Sequence, residues 1–214
     1  MGNDSNNSNN SQYKYIVSID FGSAGVGYAY ETISNNKKAI NPVLSNFKGQ
    51  GDNKVPNEII LGDNDKVLAF GNECSTYINN NKNTQESYLY FKDIKMNLYN
   101  KNYFIKATNQ KEFPIEIIIS KILNKISDDA IAKIKDNKGE KVEKDKIKWV
   151  VTIPAIWTEK SKEIMLNASK KAGLINDNTD LSLFFALEPE VAGIFYFSDL
   201  NTQVDSEKKK KRIE

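Results

Sequence analysis

The 214-residue chain has no histidine. This excludes Ser-His-Asp and Cys-His catalysis and the usual histidine-containing zinc sites. Any chemistry must run on carboxylates, lysines, hydroxyls and a bound metal. The single cysteine, Cys74, cannot close an internal disulfide and fits a reducing cytosol; it is expected to be a small buried residue rather than a redox site. No run of about 18 apolar residues could span a membrane, and the Asn/Ser-rich residues 1–12 lack the apolar core of a signal peptide. Met1-Gly2 invites acylation, but Asn6 stands where that pattern wants Ser or Thr. The net charge of +2 is too balanced to point to nucleic acid. The expectation is a cytoplasmic protein with neither nucleic-acid nor membrane partners, of a length that suits one large domain or two small ones.

The most informative stretch is Tyr13 to Tyr30. Its pattern predicts a strand over Tyr15–Ile19, a glycine turn and a returning strand over Val26–Tyr30. Asp20 falls at the end of the first strand, and Gly22, Gly25 and Gly27 remove side chains around the turn. Glycine permits positive φ and close approach to a ligand, and consecutive backbone N–H groups in such a turn form an anion-binding concavity. A carboxylate beside that concavity suggests a metal–nucleotide site, with Asp20 holding Mg²⁺ directly or through water. An ordinary hairpin with a glycine turn has the same pattern.

Residues 1–12 are low-complexity and expected to be disordered, and 34–41 is loop-like. Short apolar pieces at Val43-Leu44, Val55-Pro56, Glu58–Leu61 and Val67–Phe70, with a turn at Gly62–Asp65, predict an antiparallel meander. Gly71–Ile78 suits a short helix. Phe113-Pro114 opens the clearest helix, with Ile115, Ile118, Ile119, Ile122 and Ile126 on one face and an end near Lys135. A charged loop follows over Asp136–Asp145. Ile147–Ile153 is a buried strand by composition, ended by Pro154. Thr158 caps a helix running to Ala172, with Ile164, Met165 and Ala168 inward and Gly173 at C′. Leu181–Leu187 is expected to be a second buried strand, and Glu188-Pro189 to start a last helix with Val191, Ala192, Ile194 and Phe195 as apolar surface. Residues 199–214 form a charged tail. Strands first, then helix–strand–helix–strand–helix, make an α/β layer design.

Three separated pieces carry a resemblance: Ser-Ile-Asp-Phe-Gly-Ser from Ser18, Trp-Val-Val-Thr-Ile-Pro-Ala-Ile-Trp-Thr from Trp149, and Ala-Leu-Glu-Pro-Glu-Val-Ala from Ala186. In this order and spacing they resemble the ATPase domain of the heat-shock protein 70 family. Within the actin-like superfamily, the Ile-Pro-Ala-Ile-Trp form is similar to the atypical member-12-like branch. Lys54–Ile59, Val67–Gly71 and Tyr88–Leu98 match as well, so the likeness covers about residues 14–198. It implies an actin-like, ribonuclease-H-type α/β lobe over 13–198, with an inserted subdomain at about 50–135, and ATP and Mg²⁺ as cofactors. By resemblance, Asp20 holds Mg²⁺ through water, and Gly22, Ser23, Ala24 and Gly25 make the first phosphate loop. Lys92 binds the γ-phosphate and orients the attacking water, although nearby Lys95 offers a competing register. Glu188 lies near the metal and that water, Pro154 reports nucleotide state, and Lys162 senses the surroundings of that proline. Such chemistry needs positioning and charge stabilisation but no histidine.

Two departures shape the functional expectation. Ala24 stands where the family usually carries a second hydroxyl, and losing one such donor can cost about 10²–10³ in rate. The Asp-x-Gly-Gly-Gly-Thr second phosphate loop is absent, so the resemblance is to lobe I alone, and 199–214 reads as a shortened linker toward a second lobe. The expectation is half of an ATP·Mg²⁺-binding ATPase, weak or inactive by itself. Its implied partners are a lobe II segment or polypeptide, co-chaperones and protein clients. A non-catalytic nucleotide sensor, an interaction scaffold and a sugar-kinase-like enzyme stay open, although Glu-Pro-Glu-Val-Ala argues against the kinase. Lys208–Arg212 resembles a nuclear-localisation patch, but a solvated loop or frayed end suits it better.

Overall fold

The computed structural model describes residues 13–33, 43–44, 47, 53–82, 88–176 and 181–191. The expectations for residues 1–12, 34–41 and 199–214, and for Ala192, Ile194 and Phe195, fall outside these.

The Tyr13–Tyr30 stretch forms the expected hairpin, with β1 over Tyr15–Phe21 and β2 over Gly25–Thr32 paired antiparallel. The period of two along β1 buries Tyr15, Val17, Ile19 and Phe21 and turns Ser18 and Asp20 to the opposite face. The chain then adds two short strands to the outer edge of β2: β3 over Val43–Leu44 and β4 over Lys54–Pro56. On the other side of β1 lies β10, Ile147–Ile153, paired in parallel, and beyond it β11, Leu183–Leu187, also parallel. The sheet order is β11-β10-β1-β2-β3, with β4 beside β2.

Between β4 and β10 the chain builds a second sheet and a ribbon. β5 (Ile59–Leu61) pairs antiparallel with β6 (Val67–Phe70) and β7 (Leu89–Phe91), and β8 (Phe104–Lys106) pairs with β9 (Glu112–Pro114). The expected meander is therefore shared between two sheets. Helix α1 spans Glu73–Asn80 and α2 spans Ile94–Tyr99.

Helix α3 spans Ile115–Lys138, and its predicted apolar face is fully buried at Ile115, Ile118, Ile119, Ile122 and Ile126. Burying such a side chain contributes roughly 1.5–3 kcal/mol, so this face is a main source of stability for the layer. The helix begins one residue after Pro114, which closes β9, and passes through the expected loop as far as Lys138. It stops at Gly139, whose φ of 70° suits glycine. Tyrosines of the hairpin tie the helix and its end to the sheet. Tyr28 Oη donates to Asp129 Oδ2 at 2.6 Å, Tyr15 Oη to Glu140 Oε1 at 2.5 Å, and Asn137 Nδ2 donates to Tyr30 Oη at 2.6 Å. Burial, then the carboxylate partner, pushes the Tyr15 phenol up to about 12 and the Tyr28 phenol further in the same direction.

Helix α4, Glu159–Lys171, connects β10 to β11 and packs against α3. Thr158 caps it by accepting the Ser161 N–H at 3.2 Å. Gly173 at φ 71° and the Leu174 N–H to Ser169 carbonyl bond of 3.0 Å close it as expected. β11 departs from expectation: among the described residues it is the edge strand, with Phe184 59% exposed, rather than a buried one. Apolar composition cannot distinguish a strand covered on two faces from one at an edge. No helix among the described residues is long and apolar enough to cross a membrane.

Candidate functional site

The three parallel strands β1, β10 and β11 end on the same side of the sheet. Open α/β sheets bind ligands beyond those carboxyl ends. Asp20 is the penultimate residue of β1, Thr152 that of β10, and Glu188 directly follows β11. Residues from opposite ends of the sequence are thus brought together by register alone. They line a cleft of about 760 Å³ with Ser18, Gly27, Ala29, Leu44 and Lys54.

Asp20 is doubly engaged. Its Oδ1 accepts the Thr152 hydroxyl at 3.2 Å, and its Oδ2 accepts Lys54 Nζ at 2.5 Å. Lys54 stands two strands away, and the register explains its reach: Asp20 lies opposite Gly27, and Gly27 opposite Lys54. Directly opposed residues share a face. Since Gly27 has no side chain, the lysine can cross β2 to the carboxylate. Glu188 is paired with Lys95, whose side chain is only 7% exposed.

The phosphate-loop candidates Gly22, Ser23, Ala24 and Gly25 form the tip of the β1–β2 hairpin, with Ser23 and Ala24 exposed. They do not line the cleft themselves; they begin two residues after Asp20, beyond Phe21. Neither Gly22 nor Gly25 has positive φ. What the turn requires is closeness: a Cβ on Gly22 would stand 2.3 Å from the Gly25 carbonyl oxygen, and one on Gly25 3.0 Å from that of Val55. Buried Asn57 holds the loop from behind, its Nδ2 donating to the Gly22 carbonyl at 2.8 Å and its N–H to that of Ala24 at 3.4 Å.

Lys92 is not brought to this cleft. It is exposed and lines a separate groove of about 660 Å³ with Asp93, Lys101 and Phe104. The separation is local. Asp93 adopts a left-handed φ of 54°, and α2 then turns Ile94, Lys95 and Leu98 inward, so Lys95 is the lysine placed against Glu188. Pro154 follows β10 and its carbonyl accepts the Trp157 N–H at 3.2 Å, whereas Lys162 pairs with Glu159 on its own helix at 2.8 Å.

Sequence reasoning left Lys54, Asn57 and Thr152 without roles. The alternation of Lys54-Val55-Pro56 beside the glycines of β2 was the available signal for Lys54. For Lys95 it was the helical spacing of Ile94, Lys95 and Leu98.

Comparison with known proteins bears on this arrangement. The chain is 30% identical over 203 residues to Heat shock 70 kDa protein 12A of Homo sapiens, covering 90% of this chain. It is an Hsp70-like domain. Heat shock 70 kDa protein 12B of Homo sapiens is 27% identical over 194 residues. The Hsp70-like chain spans about 30% of the length of 12A and about 28% of 12B. No family model matches it. A superposition on the crystal structure of MreB5 of Spiroplasma citri bound to ADP covers 83% of this chain and 39% of that one, at 13% identity and a TM-score of 0.43. The assignment rests on the sequence relatives.

Proposed function

We propose that this chain is the first lobe of an actin-like ATPase domain whose cleft receives the phosphates of ATP with Mg²⁺. The observation that carries this reading is the convergence of Asp20, Thr152 and Glu188 at the carboxyl ends of β1, β10 and β11, beside a glycine turn too tight for a Cβ at Gly22. Lys95, rather than Lys92, then supplies the buried positive charge beside Glu188. The second lobe, the protein clients and the coupling of hydrolysis to a partner belong to the longer protein that the relatives suggest.

The donor set fits a metal brought in on a nucleotide rather than one caged by protein. Among the described residues no group of three or more acidic, cysteine or histidine side chains is placed to hold an ion. Magnesium commonly uses one or two carboxylates and takes its other ligands from water and phosphate, and Asp20 and Glu188 meet that requirement. Bound there, the ion would neutralise charge on the phosphates. The chain's own residues do the rest. Thr152 orients the Asp20 carboxylate, Asn57 fixes the loop carbonyls, and Lys95 holds Glu188 at the head of its helical turn.

A non-catalytic nucleotide sensor is the second reading. It is favoured by Ala24, which leaves Ser23 as the sole hydroxyl at the exposed loop tip. An ¹⁵N-labelled chain titrated with ATP·Mg²⁺ tests nucleotide binding. Weak, millimolar-range shifts at Asp20–Gly25, Lys54, Thr152 and Glu188 are expected. Unshifted amides at these positions would rule the cleft out. Absence of turnover after Ala24→Thr in the two-lobed protein would detach the sensor reading from that residue.

A further inference from the structure

The groove beside Lys92 is lined by α2, its flanks and the β8–β9 ribbon. Two of its residues run against local preference. The first is Lys101. Helix α2 closes with the Lys101 N–H on the Leu98 carbonyl at 3.1 Å and the Asn102 N–H on the Asn97 carbonyl at 2.8 Å. Helix α4 closes in the same way, with the Gly173 N–H on the Lys170 carbonyl at 2.9 Å and the Leu174 N–H on that of Ser169 at 3.0 Å. Such a closure puts its turning residue in the left-handed region, where glycine is usual and a Cβ is strained. The chain uses glycine there in α4, at φ 71°, but lysine in α2, at φ 60°. Residues held in such a conformation gather at ligand clamps. The second is Phe104. Along β8 it alternates with buried Ile105, shares the outer face with Lys106 and is 59% exposed. The charges of the groove are also uneven. Of its two carboxylates, Glu112 is paired with Lys106 at 3.5 Å. Among the described residues no ion pair engages Lys92 or Lys101, so one carboxylate, Asp93, is left to two unpaired ammonium groups.

We infer that this groove is a docking surface for an acidic peptide segment of a partner protein, one that carries an aromatic side chain among its carboxylates. The ring packs on Phe104 and Tyr103, and the carboxylates meet Lys92 and Lys101. The lysine at 101 stands where glycine fits better and supplies one of the two charges such a segment needs. Rings beside ammonium groups also suit single-stranded nucleic acid. A phosphodiester backbone, however, carries a charge at every step and would meet Asp93 and Glu112 as well, so the mixed lining favours the peptide. The groove shares no lining residue with the cleft, and the inference does not depend on the nucleotide reading.

The test titrates the full ¹⁵N-labelled chain, without nucleotide, with three capped peptides: Asp-Glu-Phe-Glu-Asp, Asp-Glu-Ser-Glu-Asp and Lys-Lys-Phe-Lys-Lys. The first is expected to shift the amides of Lys92, Lys101, Phe104 and Lys106 and to leave those of Asp20 and Glu188 still. The serine peptide should bind about tenfold more weakly, and the lysine peptide should leave the groove amides in place. Lys92→Met and Lys101→Gly should each weaken binding of the first peptide about threefold, the scale of one exposed ion pair. Lys101→Gly should do so with a urea midpoint level with wild type or higher, because the backbone strain is relieved. Lys101→Asn, which suits the left-handed turn without the charge, should lose the same affinity. Both lysines are exposed, and unchanged amide shifts in the α3–α4 core verify that the variants fold. A purely structural role for Lys101 predicts wild-type binding in Lys101→Gly and Lys101→Asn, and that result overturns the proposal. Groove amides unmoved by the acidic peptide, or moved equally by the basic one, overturn it too. A short oligothymidylate that shifts the groove amides at lower concentration than the acidic peptide overturns the assignment to a protein partner.

Discussion

The Lys95–Glu188 pair makes an asymmetric prediction. It joins α2 to the residue following β11, and the two side chains are unequally covered, 7% exposed for Lys95 and 35% for Glu188. Removing one partner of a fully buried pair costs about 3–5 kcal/mol, because the other is left as an uncompensated buried charge. Glu188→Gln does this to the buried ammonium. Partial solvent access and the retained amide oxygen reduce the cost, so a loss of about 2 kcal/mol is expected. Lys95→Met removes the buried charge itself and leaves a carboxylate that water can reach. Its expected cost is about 0–1 kcal/mol. With a urea m-value of roughly 2 kcal/mol/M, the midpoint should fall by about 1 M in Glu188→Gln and by less than about half that in Lys95→Met, with m unchanged. The double variant should recover most of the loss, since no unpaired charge remains buried. Equal losses in the two single variants, or a larger one in Lys95→Met, would refute the assignment of the cost to the stranded lysine.

Three further outcomes follow from the geometry. Gly22→Ala should destabilise the chain by about 2–3 kcal/mol, and Gly25→Ala by clearly less, because the added Cβ meets a carbonyl oxygen at 2.3 Å in the first case and 3.0 Å in the second; thermal or urea unfolding checks the order. The phenols of Tyr15, Tyr28 and Tyr90 are all raised by burial and carboxylate neighbours, Tyr15 to about 12. The unfolded chain releases these protons near pH 10 while the folded chain retains them, so stability should be flat in this respect below pH 10 and fall above it; a urea midpoint that stays level from pH 9 to pH 11 would contradict this. The Cys74 thiol is fully buried and pushed up to about 12, chiefly by burial, so a disulfide reagent at pH 8 should leave the native chain untouched and titrate one thiol in denaturant.

The elements most legible in the sequence owe their form to local chemistry. β10 runs over Ile147–Ile153 as its β-branched run and Pro154 require, and α4 has its cap at Thr158 and its stop at Gly173. Other features depended on context beyond the segment. The exposure of Phe184 is set by what lies beside β11, not by its own composition. The charged residues after Lys135 continue α3, where Asn137 donates to Tyr30, a contact with a residue 107 positions away. At the site, the ends of β1, β10 and β11 could be placed from motifs, but the choice between Lys92 and Lys95 turned on a single left-handed residue, Asp93. Lys54 was hidden because its pairing with Asp20 requires knowing that Gly27 lies between them.

The central strand of the sheet also has a consequence in time. β1 acquires one neighbour, β2, almost as soon as it is made, but its other neighbour, β10, pairs Ile147 with Tyr15 across most of the described chain. At synthesis rates of about 5–20 residues per second, the outer edge of β1 waits on the order of ten seconds for that partner. Throughout that interval the hairpin presents unpaired backbone groups beside the apolar side chains of Val17 and Ile19. An Hsp70-like domain built this way is, while being made, itself a segment that other chains could capture.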